Sequence, residues 1–226
     1  MLKRMILPLI FGLGGAAILA ALGTWQVQRL QWKEGVLAEM RAELGGDPVA
    51  LPASPQEAVH NYLPVRVTGE IQPGGLHFLT TRKGMGPGYR VVSVFETADG
   101  RRVMLDRGFL RETDKSRDLG ARDVAVTGNL HWPDEYDESF TPDPDIDRNI
   151  WFARQVGPMA DYLGTEPLLV VARRTEGGDP AITPWPVDTS GIPNDHLQYA
   201  VTWFSLMVLW LGMTAYLLWR IRRRTV

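Results

Sequence analysis

The sequence predicts an α+β membrane protein in which an N-terminal and a C-terminal transmembrane helix bracket a β-rich, largely antiparallel exported domain. Three observations predict this class. The stretches 5–23 and 197–219 contain no charged residue, and each has about the 17–25 residues that a helix needs to cross a bilayer. The chain between them is polar and rich in alternating, β-branched segments. Basic residues flank the outer ends of both stretches.

The first apolar stretch, residues 5–24, is predicted to be a retained transmembrane helix. A cleaved signal peptide is the alternative, because Lys3 and Arg4 resemble a basic leader and residues 20–23 are rich in small side chains. Retention is favoured because the following sequence keeps helical spacing. That continuation predicts a helical stalk over residues 25–44, which the Gly-Gly-Asp-Pro sequence at 45–48 ends.

The exported domain is placed at residues 25–195, a length that suffices for one apolar core. Strands are predicted at residues 63–71, 76–81, 89–97, 102–109, 124–131 and 168–173. Asp99-Gly100 is typical of a tight hairpin turn. A short helix is predicted over 158–163, with Pro158 in its first turn. The pattern indicates a partly closed antiparallel sheet.

The second transmembrane helix is placed at residues 196–219, with a basic tail at 220–226. The positive-inside rule puts both termini in the cytoplasm and the central domain in the periplasm. The residues that support this orientation are Lys3, Arg4, Arg220, Arg222, Arg223 and Arg224. Because no amphipathic, Arg- and Ser-rich presequence is present, a bacterial inner membrane is favoured over mitochondrial import.

Composition excludes several classes of function. The chain has no cysteine, which rules out disulfides, thiolate metal sites, haem attached through paired cysteines and a cysteine nucleophile. All 26 acidic residues, but only 18 of the 24 basic ones, fall in the exported region, which leaves it eight net negative charges. Such a surface disfavours nucleic acid as a partner.

No local motif predicts catalysis. Asp143, Asp145 and Asp147 alternate as in a calcium loop, but Arg148 occupies the position where the turn needs glycine. The Gly-rich segment 84–88 lacks a following lysine and helix, and is expected to connect two strands. Because no acid, base or nucleophile constellation is found, we expect no enzyme, no catalytic residue and no metal site made of protein ligands alone.

The most informative residue is His196, at the mouth of the second membrane helix. Asp195 as N-cap and Gln198 three residues later resemble a capping box, so His196 is expected in the first helical turn. A histidine at the end of a membrane-spanning segment can ionise and can bind a metal, so its location predicts a functional site. His60, His77 and His131 lack ligand spacing and are expected to be structural.

A stripe of apolar and aromatic residues follows His196 at spacings of three and four, which predicts one helix face. It comprises Tyr199, Trp203, Leu206, Trp210, Met213 and Leu217. A flat apolar ligand beneath the histidine is one interpretation. Helix packing is the other, since Gly12, Ala16, Ala20 and Gly23 offer a partner surface of small residues. Helical geometry alone favours packing.

Three segments resemble the signature regions of the Surfeit locus protein 1 family. They are Gly23-Thr24-Trp25-Gln26-Val27-Gln28-Arg29-Leu30, Val103-Met104-Leu105-Asp106-Arg107-Gly108-Phe109 and Asn194-Asp195-His196-Leu197-Gln198-Tyr199-Ala200-Val201-Thr202-Trp203-Phe204. They occur in the family's order and with its layout of two membrane anchors. The chain as a whole is similar to a bacterial member of the family. Asp106, Phe109 and Gln155 depart from the residues that members often carry.

The resemblance implies an assembly factor for a haem-copper terminal oxidase that binds haem a transiently and assists its insertion into oxidase subunit I. His196 matches the haem iron ligand, with Tyr199 and Trp203 on the expected haem-facing stripe. The motif residues without a definite role are Trp25, Gln26, Arg29, Arg107 and Gly108. Haem a synthase, oxidase subunit I and the lipid bilayer are the implied partners.

A second hypothesis is a scaffold that stabilises nascent oxidase subunits without binding haem. The acidic loop 133–148 and the helical stalk would then be its functional parts.

Overall fold

The computed structural model describes residues 2–223, with side chains from residue 5 onward. The chain divides into two compact units: residues up to Met40 together with those from Thr189 onward, and Arg41–Asp188. Arg224, on which part of the predicted orientation depends, lies outside the described residues, as do the side chains of Lys3 and Arg4.

Two apolar helices at the N- and C-terminal regions are confirmed. Helix α1 spans Leu2–Leu44 without a break, and the last helix, α4, spans His196–Arg223. Their most apolar windows have mean hydropathies of 2.3 and 1.7, so both helices are long and apolar enough to cross a membrane. At 1.5 Å per residue, α1 is about 64 Å long, roughly twice the hydrocarbon thickness of a bilayer.

Helices α1 and α4 pack as an antiparallel pair in the first unit. A Cβ on Gly12 would lie 2.2 Å from Thr214 Cγ2, and one on Gly23 would lie 2.8 Å from the Phe204 ring. The Trp210 Nε1–H also donates to the Gly12 carbonyl at 3.0 Å. The predicted packing role of these two glycines is confirmed, because any larger residue would push the helices apart.

The second unit is a β-rich domain built on a closed barrel. Its strands are β1 (Val49–Ala50), β2 (Pro64–Ile71), β3 (Leu76–Arg82), β4 (Gly86–Thr97), β5 (Arg102–Arg111), β6 (Arg122–His131), β7 (Leu169–Glu176) and β8 (Ile182–Thr183). Five of them close in the order β2, β6, β7, β5, β4 and back to β2. Within this ring only β5 and β7 are parallel. We expected a partly closed sheet. In the structure, residues 69–71 of β2 pair with β4, and this pairing closes the sheet into a ring.

The six predicted strands are confirmed to within a few residues. The turn before Gly100 is also confirmed: Gly100 has φ +84°, and the Thr97 N–H donates to the Arg101 carbonyl at 2.8 Å. Helix α3 (Val156–Leu163) begins two residues before its predicted start and ends at Gly164, which has φ +64°. Strands β1 and β8, helix α2 (Glu57–His60) and a 3₁₀ turn at Glu112–Asp114 are too short for sequence periodicity to reveal.

Two apolar clusters occupy the two faces of the barrel wall. All five ring strands contribute to the inner cluster, whose members include Val65, Phe95, Leu105, Val126 and Val170. The outer cluster lies beneath α3 and includes Met104, Leu169, Val171 and Met159. Successive residues of a strand point to opposite faces, which explains why residues 103–105 of β5 and 169–172 of β7 are apolar in succession rather than alternating.

His131, at the end of β6, makes the stability of the barrel depend on pH. Its ring stacks on Tyr62 at a centroid distance of 5.3 Å, and its Nδ1 lies 3.2 Å from Asn61 Oδ1. Burial, and then the positive charge of Arg154, lower the pKa of His131 from 6.5 to about 4. The unfolded chain therefore binds more protons than the folded chain between these values, so the free energy of unfolding decreases as pH falls from 6.5 to 4.

We expect His131→Gln to reduce this pH dependence. Urea unfolding of the full chain in detergent, measured near each end of that pH window, provides the comparison. His60→Gln, at a half-exposed position on α2, is the matched control and should retain the wild-type dependence. An unchanged dependence in His131→Gln would show that other groups cause it.

Candidate functional site

The helix pair brings His196 against Gln26, a residue 170 positions away in sequence. The His196 Nδ1 lies 2.8 Å from Gln26 Oε1. Gln26 is only 9 % exposed on α1, while His196 is half-buried. The Tyr199 N–H donates to the Asp195 carbonyl at 3.2 Å, which makes Asp195 the first capping residue and places His196 in the first turn of α4.

This contact determines the chemistry that the imidazole offers. An amide oxygen can only accept a hydrogen bond, so Nδ1 of His196 is the donor and carries the ring proton. In the neutral form of the ring, the free lone pair is then on Nε2. Histidines that bind metals commonly have this arrangement, in which the other ring nitrogen donates to an oxygen that fixes the ring's orientation.

His196 offers a single protein ligand. Across the part of the chain that the structure describes, no three His, Cys, Asp or Glu side chains cluster in a way that could hold a metal ion. This includes the acidic loop, where the Asp145 side chain accepts the backbone N–H of Arg148 at 3.0 Å. A lone imidazole suits a metal whose other coordination positions are already filled by a chelating ligand.

The stripe that follows His196 lies on the unbroken helix α4, and its members differ in exposure. Trp210 packs on α1 through its bond to Gly12, and Trp203 is half-buried. The remaining four side chains are exposed, with Tyr199 at 55 % exposure: Tyr199, Leu206, Met213 and Leu217. Close contact with the glycines of α1 sets the packing face, and the exposed residues form an apolar flank beside it.

Two other predicted motif residues make no described contact with His196. Trp25 neighbours Gln26 in sequence but is 54 % exposed. The Arg29 guanidinium stacks over the ring of Trp32 at 4.0 Å. Of the three singled-out residues of the first motif, Gln26 is the one with a described hydrogen bond to the histidine.

Arg107 and Gly108 belong to the barrel unit, where they form a bulge in β5. In the β4–β5 pairing, Val91 lies opposite Gly108 and Val92 opposite Asp106, so Arg107 has no partner residue. Gly108 has φ +112°, and a Cβ there would lie 2.2 Å from the Thr183 carbonyl. Only glycine fits this position, and the bulge changes the direction in which the neighbouring side chains point.

Beside this bulge lies a buried ionic network that the sequence did not reveal. Asp106 is fully buried and accepts hydrogen bonds from Arg90 Nε, from Arg154 Nη1 at 2.8 Å and from the Gly108 N–H at 3.0 Å. Arg154 Nε in turn donates to Glu135 at 3.0 Å. The sequence analysis singled out Asp106 only as a departure from the motif that the chain resembles.

Comparisons with known proteins agree with the motifs. The family model described as the SURF1 family matches residues 13–208. The chain is 31 % identical to human Surfeit locus protein 1, across 82 % of this chain and 69 % of that protein. It is 30 % identical to a SURF1-like protein of Rickettsia felis, across 84 % of this chain and 88 % of that protein.

Proposed function

This chain belongs to the SURF1 family, whose members are generally cytochrome oxidase assembly factors, and we propose that it binds haem a transiently through His196 and assists the insertion of that haem into oxidase subunit I. The hydrogen bond between His196 and Gln26 is the observation that carries the proposal. It holds the ring so that one nitrogen lone pair remains for iron.

A single histidine ligand favours haem over a free metal ion. A porphyrin brings four nitrogen ligands of its own, so His196 alone would be enough to hold its iron. Tyr199 lies one turn from His196 and is exposed, as is Leu206 further along the flank. These side chains offer an apolar surface to a flat ligand, and a single axial bond suits a carrier that must release its cargo.

We place the protein in the bacterial inner membrane with two crossings. The antiparallel packing of α1 and α4 is compatible with two crossings that return the chain to its starting side. Arg220, Arg222 and Arg223 at the end of α4 support a cytoplasmic C-terminus, and the acidic barrel domain is then periplasmic. Haem a synthase is the proposed donor of the cofactor and oxidase subunit I its recipient, with no catalytic step on this chain.

Co-expression with the haem a biosynthetic pathway tests the proposal. The full chain purified in detergent should contain haem a, quantified by its reduced pyridine haemochrome spectrum, and should co-purify with oxidase subunit I. Isolation with subunit I but without haem would contradict the haem-binding proposal. That result would favour the scaffold hypothesis.

Gln26 should control the haem affinity of His196. Gln26→Leu removes the acceptor that orients the ring, and we expect haem to bind about 10–100-fold more weakly, as is typical when such a supporting partner is lost. Gln26→Glu keeps an oxygen acceptor and should retain most of the affinity. Optical titration with haem gives the dissociation constants.

Gln28→Leu, at an exposed position on the same helix, is the matched control and should bind haem as the wild type does. Equal affinities for Gln26→Leu and Gln28→Leu would show that the hydrogen bond to His196 has no part in ligation.

A further inference from the structure

The barrel unit contains a cavity of about 210 Å³ at a gap in its wall. Strand β5 pairs with β7 as far as Asp106 and with β8 from Phe109 onward, so Arg107 belongs to neither pairing. Arg107 lines the cavity at this break in the pairing. Its lining includes Ile71, Arg107, Thr175, Asp179, Ile182 and Pro184.

Arg107 lines this cavity with an incompletely satisfied guanidinium. The residue is only 4 % exposed, and its Nη2 is buried without a hydrogen-bond partner among the described residues. Its Nη1 reaches Ser93 Oγ only at 3.4 Å, which is long for a hydrogen bond. Burial lowers the pKa of Arg107 to about 10, so the group stays positively charged at neutral pH.

Arg107 shares the acidic residue of the cavity, Asp179, with two other arginines. Asp179 already contacts Arg117 Nε at 3.5 Å and Arg122 Nη2 at 3.2 Å, and it accepts the Ala181 N–H at 2.9 Å. Three guanidinium groups therefore share one carboxylate, which leaves an excess of positive charge. A buried cation without a paired anion is costly, so the arrangement favours an additional anion beside Arg107.

We propose that this cavity binds a small organic carboxylate, whose oxygens contact Arg107 and whose carbon body contacts Ile71, Ile182 and Pro184. The planar guanidinium matches carboxylate geometry. Phosphate is disfavoured because the Asp179 carboxylate in the wall repels a dianion more strongly than a monoanion. At about 30 Å³ for each water-sized group, the cavity holds roughly seven non-hydrogen atoms.

The site shares no residue with the proposed haem site, because it is formed entirely by residues of the barrel unit. It also gives a role to Arg107, which the sequence motif singled out and the proposed haem site does not use. The bulge in β5 and the positive φ of Gly108 then serve to direct Arg107 into the cavity.

Butyrate is a probe of suitable size, and the full chain in detergent is the sample. Thermal unfolding should shift to higher temperature with butyrate in a saturable manner, because a ligand that binds only the folded state stabilises it. Butyramide, which has the same shape without the charge, should give no shift. A shift with inorganic phosphate but not with butyrate would overturn the proposal, and so would no shift with either, which would mean that water alone fills the cavity.

Substitutions test whether Arg107 binds the carboxylate. Arg107→Gln should lose the butyrate shift, while Arg174→Gln, at an exposed position on β7, should keep it. If Arg107→Gln does not fold, Arg107→Lys keeps the charge without the planar fork and should weaken binding about tenfold. A butyrate shift of wild-type size and midpoint in a folded Arg107 variant would overturn the assignment.

Discussion

His196→Ala is expected to abolish the haem content of the protein purified after co-expression with the haem a pathway. His196 is the single protein ligand that the proposed site provides, and its ring is fixed by Gln26. Without it the apolar flank of α4 offers contact but no bond to iron, so we expect the affinity to fall by more than about 100-fold. The measurement is the ratio of haem to protein after purification.

The fold should tolerate this substitution. His196 is half-buried at a helix start, and its loss removes one hydrogen bond, worth about 1 kcal/mol. His60→Ala, a substitution at another half-exposed histidine, is the matched control and should leave the haem content unchanged. Wild-type haem content in a folded His196→Ala protein would exclude His196 as the iron ligand.

The second large effect concerns stability. Asp106→Ala should lower the free energy of unfolding of the barrel domain by about 3–5 kcal/mol, because it leaves Arg90 and Arg154 buried without their shared counter-charge. Asp106→Asn should lower the free energy of unfolding by less, since the asparagine side-chain oxygen can still accept the Gly108 N–H.

Urea unfolding of the full chain in detergent measures both changes. Asp143→Ala, at an exposed position of the acidic loop, is the control and should change stability by no more than about 0.5 kcal/mol. A loss from Asp106→Ala as small as that of the control would show that the network around Asp106 contributes little to the barrel.

Local patterns were sufficient to predict most of the secondary structure. The strands of the barrel and the turn before Gly100 follow from alternation, β-branched residues and turn chemistry, which act over a few positions. The two apolar helices follow from uncharged stretches of sufficient length. Closure of the ring through the short β2–β4 pairing was not predictable, because it depends on the relative placement of strands distant in sequence.

The candidate site was predicted in part. The position of His196 at a helix start and the surrounding motif singled it out, and the same motif analysis named Gln26 without a role. Their hydrogen bond depends on the packing of α1 on α4, which no local pattern encodes. The stripe after His196 lies on one continuous helix, but its spacing did not reveal that Trp210 packs on α1 while Tyr199 stays exposed.

The environments of Asp106 and Arg107 could not be predicted for a different reason. Simple alternation along β5 cannot reveal a bulge, since one extra residue changes the direction of the side chains that follow. Asp106 and Arg107 are adjacent in sequence yet have separate partners, the first Arg90 and Arg154 and the second the cavity beside Asp179. Only the three-dimensional structure distinguishes these two environments.

Chemical rescue tests the central claim most directly. His196→Gly leaves space at the helix mouth, and added imidazole can supply the missing ligand without a bond to the chain. We expect His196→Gly to be purified without haem and to regain, in the presence of haem and imidazole, an absorption spectrum like that of the haem-loaded wild type, while Gln26→Leu shows no such gain. Haem binding by His196→Gly without imidazole, with the wild-type spectrum, would contradict ligation by His196.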